Sequence, residues 1–351
     1  MEQFESIPWL KSTFNLLSEE NKVPNSLLIS GPKGIGKLSL GLHLANFLLC
    51  EGINKPCAVC NACRWFRAGN HPDFIGVFPE DLQFLLPQHT SSLTIHQKES
   101  TSNIDDKKLS KFIKIDQIRE SISNLNLGSY RAGKRVLLIY PVESMQIAAA
   151  NSLLKSLEEP PQNSHFILIT HQLDQVIPTI RSRCRLVNIP KPSLEAGVNW
   201  ILKFNPTNKF SINEITQLVK ESGGAPFRAL EKIKNGNIIE GSGAILHTLA
   251  QGKHIDIVSC ASNFSKFAIN DFINILQIWI FDLQLLKQTG TVYYHKDMTS
   301  YLENLSPRFD LSSLMHFSKS VLKARNLASH PLAIKLQIES LLIQYTQIFK
   351  Y

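Results

Sequence analysis

The sequence predicts an α/β fold in which a parallel β-sheet is covered by helices on both faces, followed by an all-helical C-terminal part. Through the first 190 residues, short apolar runs typical of buried strands alternate with helical stretches, which indicates a parallel sheet. A glycine-rich turn joins the first of these strands to a helix. Beyond Pro190 the strand pattern fades and helical periodicity remains.

The predicted elements follow in chain order. Strands are expected at 26–30, 73–78, 135–140, 164–170 and 185–189. Helices are expected at 38–49, at 146–159 and after Asp116, which we interpret as a helix cap. Residues 84 to about 110 are polar and aperiodic, and they predict an exposed insertion.

The helical part contains a short segment with clear helix boundaries. Ser211 and Glu214 form a capping-box pattern, Gly223 and Gly224 end that helix, and Pro226 suits the first turn of the next. We therefore expect three domains. They are an α/β core over 1–190, a small helical domain over 191–232 and a larger helical domain over 233–351.

The composition is that of a globular protein with an excess of basic residues. The chain has 351 residues and a net charge of +8, which fits nucleic-acid binding or plain solubility equally well. The N-terminus lacks a basic region leading an apolar stretch, so we expect no secretory signal and a cytoplasmic location. The longest apolar stretch, 268–286, is interrupted by polar residues and predicts a core helix rather than a membrane span.

The glycine-rich turn has the pattern of a phosphate-binding loop. It reads Gly31-Pro-Lys-Gly34-Ile-Gly36-Lys37-Leu38. Glycines let backbone N–H groups turn towards phosphates, and the lysine reaches the outer phosphates. Leu38 replaces the Ser or Thr that holds Mg²⁺, and Ser39 lies about 100° further round the helix. The sequence therefore predicts a nucleotide site with impaired metal chemistry, and a fortuitous glycine turn is the alternative.

A second departure lies at the end of the predicted strand 135–140. ATPases with such loops hold Mg²⁺ and polarise water with carboxylates at a strand end. Here Tyr140 and Pro141 occupy those positions, and Glu143 follows. We interpret Glu143 as a cap of the next helix, because acidic residues are favoured in a first helical turn.

Four of the six cysteines are clustered within fourteen residues. They are Cys50, Cys57, Cys60 and Cys63. Four thiolates can surround one tetrahedral Zn²⁺, and the CxxC spacing lets neighbouring thiolates reach the same ion. The spacing therefore predicts a structural zinc site, with free thiols as the alternative.

Four segments occur in the order found in the AAA+ clamp-loader family, which the chain resembles. They are the glycine loop with its cysteine cluster, Asn151-Ser-Leu-Leu-Lys-Ser-Leu-Glu-Glu-Pro160, Ser182-Arg183-Cys184, and Gly224-Ala-Pro-Phe-Arg228-Ala-Leu230. The resemblance covers about residues 1–232 by motif and the remainder by architecture alone.

The resemblance implies an AAA+ P-loop core with an inserted zinc module at about 50–63, a helical lid and a C-terminal helical collar that serves oligomerisation. It implies that Arg183 is an arginine finger acting on ATP in a neighbouring subunit. The alternative is that Arg183 forms only a local salt bridge and that Arg181 or Arg185 is the exposed arginine. Thr170 and Arg228 match the family's two sensor positions. The implied partners are delta and gamma or tau subunits in a hetero-pentamer and, through the complex, the sliding clamp and primed DNA of the polymerase holoenzyme.

The departures Leu38, Tyr140 and Pro141 match a loader subunit with a degenerate ATPase site, so ATP binding is expected to be weak or absent. One alternative is an active ATPase like the gamma or tau subunits, which Lys37 favours and the three departures oppose. A second alternative is a zinc-dependent nucleic-acid binder, which the cysteine cluster and the positive charge favour.

Overall fold

The computed structural model describes residue 4 and the ranges 6–19, 23–86, 109–131, 133–203, 210–234, 240–265, 269–327 and 334–349. Most of the expected insertion therefore lies outside the described residues. The chain forms two compact units. The first comprises Met1–Lys209 and Gly224–Arg228, and the second comprises Phe210–Gly223 and Ala229–Tyr351. The predicted division into three domains stays a prediction.

The first unit alternates strands and helices along the chain. Its elements are α1 (Pro8–Glu19), β1 (Ser26–Ser30), α2 (Lys37–Leu49), α3 (Asn61–Ala68), β2 (Phe74–Val77), α4 (Ile115–Asn126), β3 (Arg135–Ile139), α5 (Ile147–Glu158), β4 (Ser164–Thr170), α6 (Pro178–Arg181), β5 (Arg185–Asn188) and α7 (Leu194–Lys203). Each predicted strand is present, and its observed ends fall within one residue of the expected ones.

The five strands form one parallel sheet in the order β2-β3-β4-β1-β5. In its register Ser30 of β1 lies opposite Thr170 of β4 and Asn188 of β5. The carboxyl ends of these three strands therefore meet at one edge, where the glycine loop begins. The predicted α/β class is confirmed.

Helices cover both faces of the sheet, because successive side chains of a strand point to opposite sides. On one face, α2 packs so closely that a Cβ at Gly41 would lie 2.6 Å from Ile169 Cδ1. On the other face, Ile118 of α4 and Leu153 of α5 share a core with Leu137. Burial on both sides explains the apolar runs of β1, β3 and β4, whereas the edge strand β5 is largely exposed.

One predicted helix boundary is wrong. The cap of α4 is Lys114, whose backbone N–H donates to the side-chain oxygen of Gln117 at 2.8 Å, and Asp116 lies inside the first turn. The reason is tertiary. Ile113 donates to Ser144 at 2.8 Å and accepts from Gln146 at 3.1 Å, and this bridge fixes the chain just before the helix.

The second unit is helical throughout its described residues. Its elements are α8 (Ile212–Glu221), α9 (Pro226–Lys234, which begins in the first unit), α10 (Glu240–Ala250), α11 (Ile257–Phe264), α12 (Ile269–Thr289), α13 (Thr299–Leu305), α14 (Leu311–Leu327) and α15 (Ile334–Gln347). The capping box of Ser211 and Glu214 is confirmed. Within the described ranges, every helix is too short or too polar to cross a bilayer.

A buried carboxylate organises the chain after α12. Asp282 has no exposed surface, and it accepts backbone N–H bonds from Tyr293 at 3.1 Å, Tyr294 at 2.9 Å and His295 at 2.7 Å. Nδ1 of His295 lies 2.8 Å from the same carboxylate. Burial raises the pKa of Asp282, but these hydrogen bonds outweigh it and hold the pKa below its usual range.

We expect Asp282→Ala to lower the free energy of unfolding by about 3 kcal/mol, because it leaves several buried backbone donors without an acceptor. Since the folded-state pKa is depressed, the contribution is present at neutral pH and is lost as the pH falls below about 4. Urea denaturation measures both effects. Asp271→Ala, an exposed change in the same helix, is the control and should cost less than about 1 kcal/mol. Equal losses for the two variants would contradict this account.

Candidate functional site

The glycine loop lies between the carboxyl ends of two neighbouring strands. Ile189, which follows β5, donates its N–H to the carbonyl of Ser30 at 2.7 Å. A Cβ at Gly31 would lie 2.5 Å from the carbonyl oxygen of Ile189, so only glycine fits this close approach. The chain then turns through Gly34 and Gly36, both with positive φ, and enters α2 at Lys37.

The predicted phosphate-binding lysine is turned onto its own loop. Lys37 is only 3% exposed, and its Nζ donates to the carbonyls of Gly31 and Pro32, both at 2.5 Å. Burial lowers the pKa of Lys37 to about 8, an effect that Glu143 opposes and Lys33 reinforces. The ammonium group therefore has protein partners in the place where phosphate oxygens would be expected.

The start of α9 covers the loop from outside. The N–H of Phe227 donates to the carbonyl of Gly34 at 3.0 Å, and its ring would lie 2.8 Å from a Cβ at Gly36. A Cβ at Gly34 would lie 2.4 Å from Cγ of Arg228. Arg228, assigned to a sensor position by resemblance, thus lies against the loop, and its role as a sensor stays a prediction. The contact of Phe227 was not predicted, because nothing in its local sequence distinguishes it from a core residue.

A hydrogen-bond network occupies the ends of β3 and β4. Thr170 donates its hydroxyl to Glu143 at 2.7 Å, and the N–H of His171 donates to the other carboxylate oxygen at 2.9 Å. The interpretation of Glu143 as a helix cap is wrong, because the strand register brings Thr170 within reach and no side chain caps α5. Thr170, the other sensor candidate, therefore lies beside the loop edge and is bonded to Glu143.

The residue in place of the first strand-end carboxylate is part of the same network. The hydroxyl of Tyr140 lies 3.2 Å from Nε2 of His171. The pKa of His171 is lowered to about 3, chiefly by burial and further by the charges of Lys37 and Lys33. His171 is therefore a neutral imidazole at physiological pH, and it adds no charge to this edge.

Arg183 lies in the turn between α6 and β5 and takes no part in the loop contacts described above. Its Nε donates to Glu158 at 2.6 Å and its Nη2 donates to the same oxygen. Its Nη1 donates to the carbonyl of Thr179 at 3.0 Å and to the hydroxyl of Ser182 at 3.2 Å. The side chain is 31% exposed, so it lies at the surface with its charge paired.

The four clustered cysteines come together as predicted. Their sulfur atoms all lie within 4.8 Å of one another, and Sγ of Cys50 and Cys60 are 3.9 Å apart. Tetrahedral Zn²⁺ with bonds of about 2.3 Å requires sulfur–sulfur distances of about 3.8 Å. Gly52 permits this approach, because a Cβ there would lie 2.8 Å from Sγ of Cys57. The cluster can hold one metal ion.

Backbone donors surround the cysteine sulfurs. The N–H of Cys60 donates to Sγ of Cys57 at 3.3 Å, and the N–H of Cys63 donates to Sγ of Cys60 at 3.4 Å. The pKa of Cys57 is lowered to about 6, chiefly by the N–H of Cys60, whereas burial raises the pKa of Cys63. Such N–H bonds stabilise thiolates, which are the form that binds metals.

Most of the chain is similar to subunits of DNA polymerase III. A family model described as DNA polymerase III, delta subunit, matches residues 8–193, and a second, for the C-terminal part of a delta subunit, matches residues 244–347. The DNA polymerase III subunit delta′ of Pseudomonas aeruginosa is 32% identical over 224 residues, which cover 63% of this chain and 60% of that protein.

The DNA polymerase III subunit delta′ of Buchnera aphidicola subsp. Baizongia pistaciae is 26% identical over 326 residues, covering 89% of this chain and 88% of that protein. Among solved structures, a DNA polymerase III gamma subunit-related protein from Thermotoga maritima is 13% identical, with a TM-score of 0.40 and coverage of 97% of this chain and 99% of that one. Because a family model matches more than half of its residues, the chain belongs to the DNA polymerase III delta subunit family, in which these two curated relatives are delta′ subunits.

Proposed function

We propose that this chain acts as the delta′ subunit of a DNA polymerase III clamp loader, with a degenerate ATPase site and an arginine finger that serves a neighbouring subunit. Its partners would be delta and gamma or tau subunits and, through the complex, the sliding clamp and primed DNA. The observation that carries the degenerate site is the closed loop, in which Lys37 is bonded to the carbonyls of Gly31 and Pro32.

The loop contacts support weak or absent ATP binding. A phosphate would have to replace two carbonyl bonds of a buried lysine, and the gain must exceed the cost of breaking them. It would also have to find room beside Phe227 and Arg228, which pack against Gly34 and Gly36.

The lack of Mg²⁺ ligands beside the loop supports the same proposal. Leu38 provides no hydroxyl, and Tyr140 and Pro141 provide no carboxylate. The remaining acid, Glu143, already accepts bonds from Thr170 and His171. Because the metal supplies much of the charge neutralisation in phosphoryl transfer, little catalysis is expected here.

One observation favours the rival function, an active ATPase like the gamma or tau subunits. Glu143 lies close enough to Lys37 to raise the pKa of the lysine, so a carboxylate and an ammonium group both remain at the loop edge. Their presence makes a direct measurement of ATP hydrolysis necessary.

The cysteine module supports a structural zinc ion in this proposal. The thiols of Cys50, Cys57, Cys60 and Cys63 would fill all four positions of a tetrahedral ion and leave none for a substrate. The module is also braced from outside, since Arg131 pairs with Glu51 at 2.6 Å and stacks on Trp65 at 4.6 Å.

The purified chain should hydrolyse ATP no faster than its Lys37→Ala variant, because the site lacks metal ligands and a free lysine. Phosphate release at saturating ATP and Mg²⁺ measures this. Glu143→Gln provides a second comparison. Turnover that both substitutions abolish would establish the rival function instead.

Zinc should be present at about one equivalent per chain, and Cys60→Ser should lower the free energy of unfolding by about 2 kcal/mol or more, because the metal folds its own module. Elemental analysis and denaturation measure the two quantities. Cys260→Ser lies outside the cluster, is the control, and should retain the metal. Metal-free protein from a chelator-free preparation would rule out the zinc site.

In a reconstituted loader, Arg183→Ala should reduce clamp- and DNA-stimulated ATP hydrolysis by about a third or more. The reason is that an arginine finger can raise the rate of hydrolysis by a factor of about 10³ to 10⁵ at the one site it serves. Arg183→Lys should reduce ATP hydrolysis to a similar extent, since lysine lacks the planar fork of N–H donors. The melting temperature of the isolated chain and its assembly should change little.

Arg181→Ala removes the same charge two residues away and serves as the control, with an unchanged rate expected. If the Arg183→Ala loader hydrolyses ATP and loads clamps at the unmodified rate, Arg183 is not a finger.

A further inference from the structure

The guanidinium group of Arg183 is bonded within its own chain through all three nitrogens. Nε and Nη2 donate to one carboxylate oxygen of Glu158, with Nε at 2.6 Å. Nη1 donates to the carbonyl of Thr179 at 3.0 Å and to the hydroxyl of Ser182 at 3.2 Å. Four of its five N–H donors are therefore engaged, and a phosphate could be gripped only if some of these bonds were released.

Glu158 belongs to a sequence motif for which the proposed function gives no role. It is the last residue of α5, and Glu159 follows it as the cap. A negative charge at the C-terminal end of a helix is unfavourable, because the helix dipole is negative there. Arg183, 25 residues further along the chain, offsets this unfavourable charge by donating to Glu158. The acidic end of the helix therefore serves as the partner of the arginine.

Both ends of the contact are fixed by buried neighbours. Leu157, next to Glu158, is 4% exposed, and Ile180, in the helix before Arg183, is 1% exposed. The two backbones are therefore held in place while the paired side chains stay at the surface, 31% exposed for Arg183 and 49% for Glu158. The pair can open without disturbing the core.

We propose that Glu158 is a positioning residue that holds the guanidinium group of Arg183 on its own chain until a phosphate of ATP in a neighbouring subunit displaces the carboxylate. This inference rests on the proposed arginine finger. Carboxylate and phosphate oxygens suit the same guanidinium fork, so the two anions compete for the same donors.

The partial exposure of the Arg183–Glu158 ion pair determines how much the removal of Glu158 should change the rate of ATP hydrolysis. Ion pairs between exposed side chains are screened and contribute little, which makes the carboxylate easy to displace. Removing it should therefore raise kcat/KM for ATP in the reconstituted loader by about two- to fivefold. A residue that merely supported the fold would lower the rate when removed.

The first experiment uses the isolated full chain and the ¹⁵N-resolved Nε–H signal of Arg183, assigned by its loss in Arg183→Lys. Exchange of this proton with water should be faster in Glu158→Ala and unchanged in Glu159→Ala. Glu159 is the matched control, since it is the adjacent exposed acid of the same motif. Equal exchange in all three proteins would show that the contact does not hold the arginine, and the proposal would fail.

The second experiment uses the reconstituted loader. Glu158→Ala should raise kcat/KM about two- to fivefold, the isosteric Glu158→Gln should fall between it and the unmodified protein, and Glu159→Ala should change nothing. In an Arg183→Ala background, Glu158→Ala should have no effect, because its partner is absent. An unchanged or lowered rate for Glu158→Ala with Arg183 present overturns the proposal.

The two proposals fail in different ways. If Arg183→Ala alone leaves hydrolysis unchanged, the finger itself is absent. If Arg183→Ala lowers hydrolysis and Glu158→Ala does not raise it, the finger stands and the role of Glu158 is refuted.

Discussion

The parallel register between β1 and β4 is the constraint on which the candidate site depends. It places Ser30, the last residue before the glycine loop, opposite Thr170, so loop and network share one edge of the sheet. The register between β3 and β4 adds Glu143, which follows β3, and because side chains alternate along a strand, a slip of β4 by one residue would turn the hydroxyl of Thr170 away from Glu143. Both strands are buried at every position, so the packing of the core on both faces holds this register.

The glycine loop has the pattern of a phosphate-binding loop, and its lysine is bonded within the chain. A buried ammonium group needs hydrogen-bonding partners, whatever their origin. In this chain the carbonyls of Gly31 and Pro32 provide them, and Gly34 accepts a bond from Phe227. The glycines and Lys37 therefore have a structural role in the packing at the end of β1. A loop satisfied in this way stabilises the core edge in the absence of nucleotide.

Two motifs that are separate in the sequence are joined in space. The acidic end of α5 and the Ser-Arg-Cys turn meet through Glu158 and Arg183. The positive charge of Arg183 offsets the unfavourable negative charge at the helix end, and Glu158 provides an acceptor for the N–H donors of the arginine. The meeting occurs at the surface, where an ion pair is weak enough to exchange partners. Such a contact fits the finger role proposed for Arg183.

The central strands were predictable because burial on both faces leaves uninterrupted apolar runs, and the cysteine cluster was predictable because CxxC spacing is a local property. The ends of helices were less predictable. The bridge at Ile113 places the cap of α4 at Lys114 and not at Asp116, where it was expected. The sequence by itself determined the α/β class, the glycine loop and the cluster of four cysteines. Only the tertiary structure decided the contacts of Glu143, Phe227 and Glu158. Their partners lie 27, 193 and 25 residues away, brought near by strand register and helix packing, which no local pattern encodes.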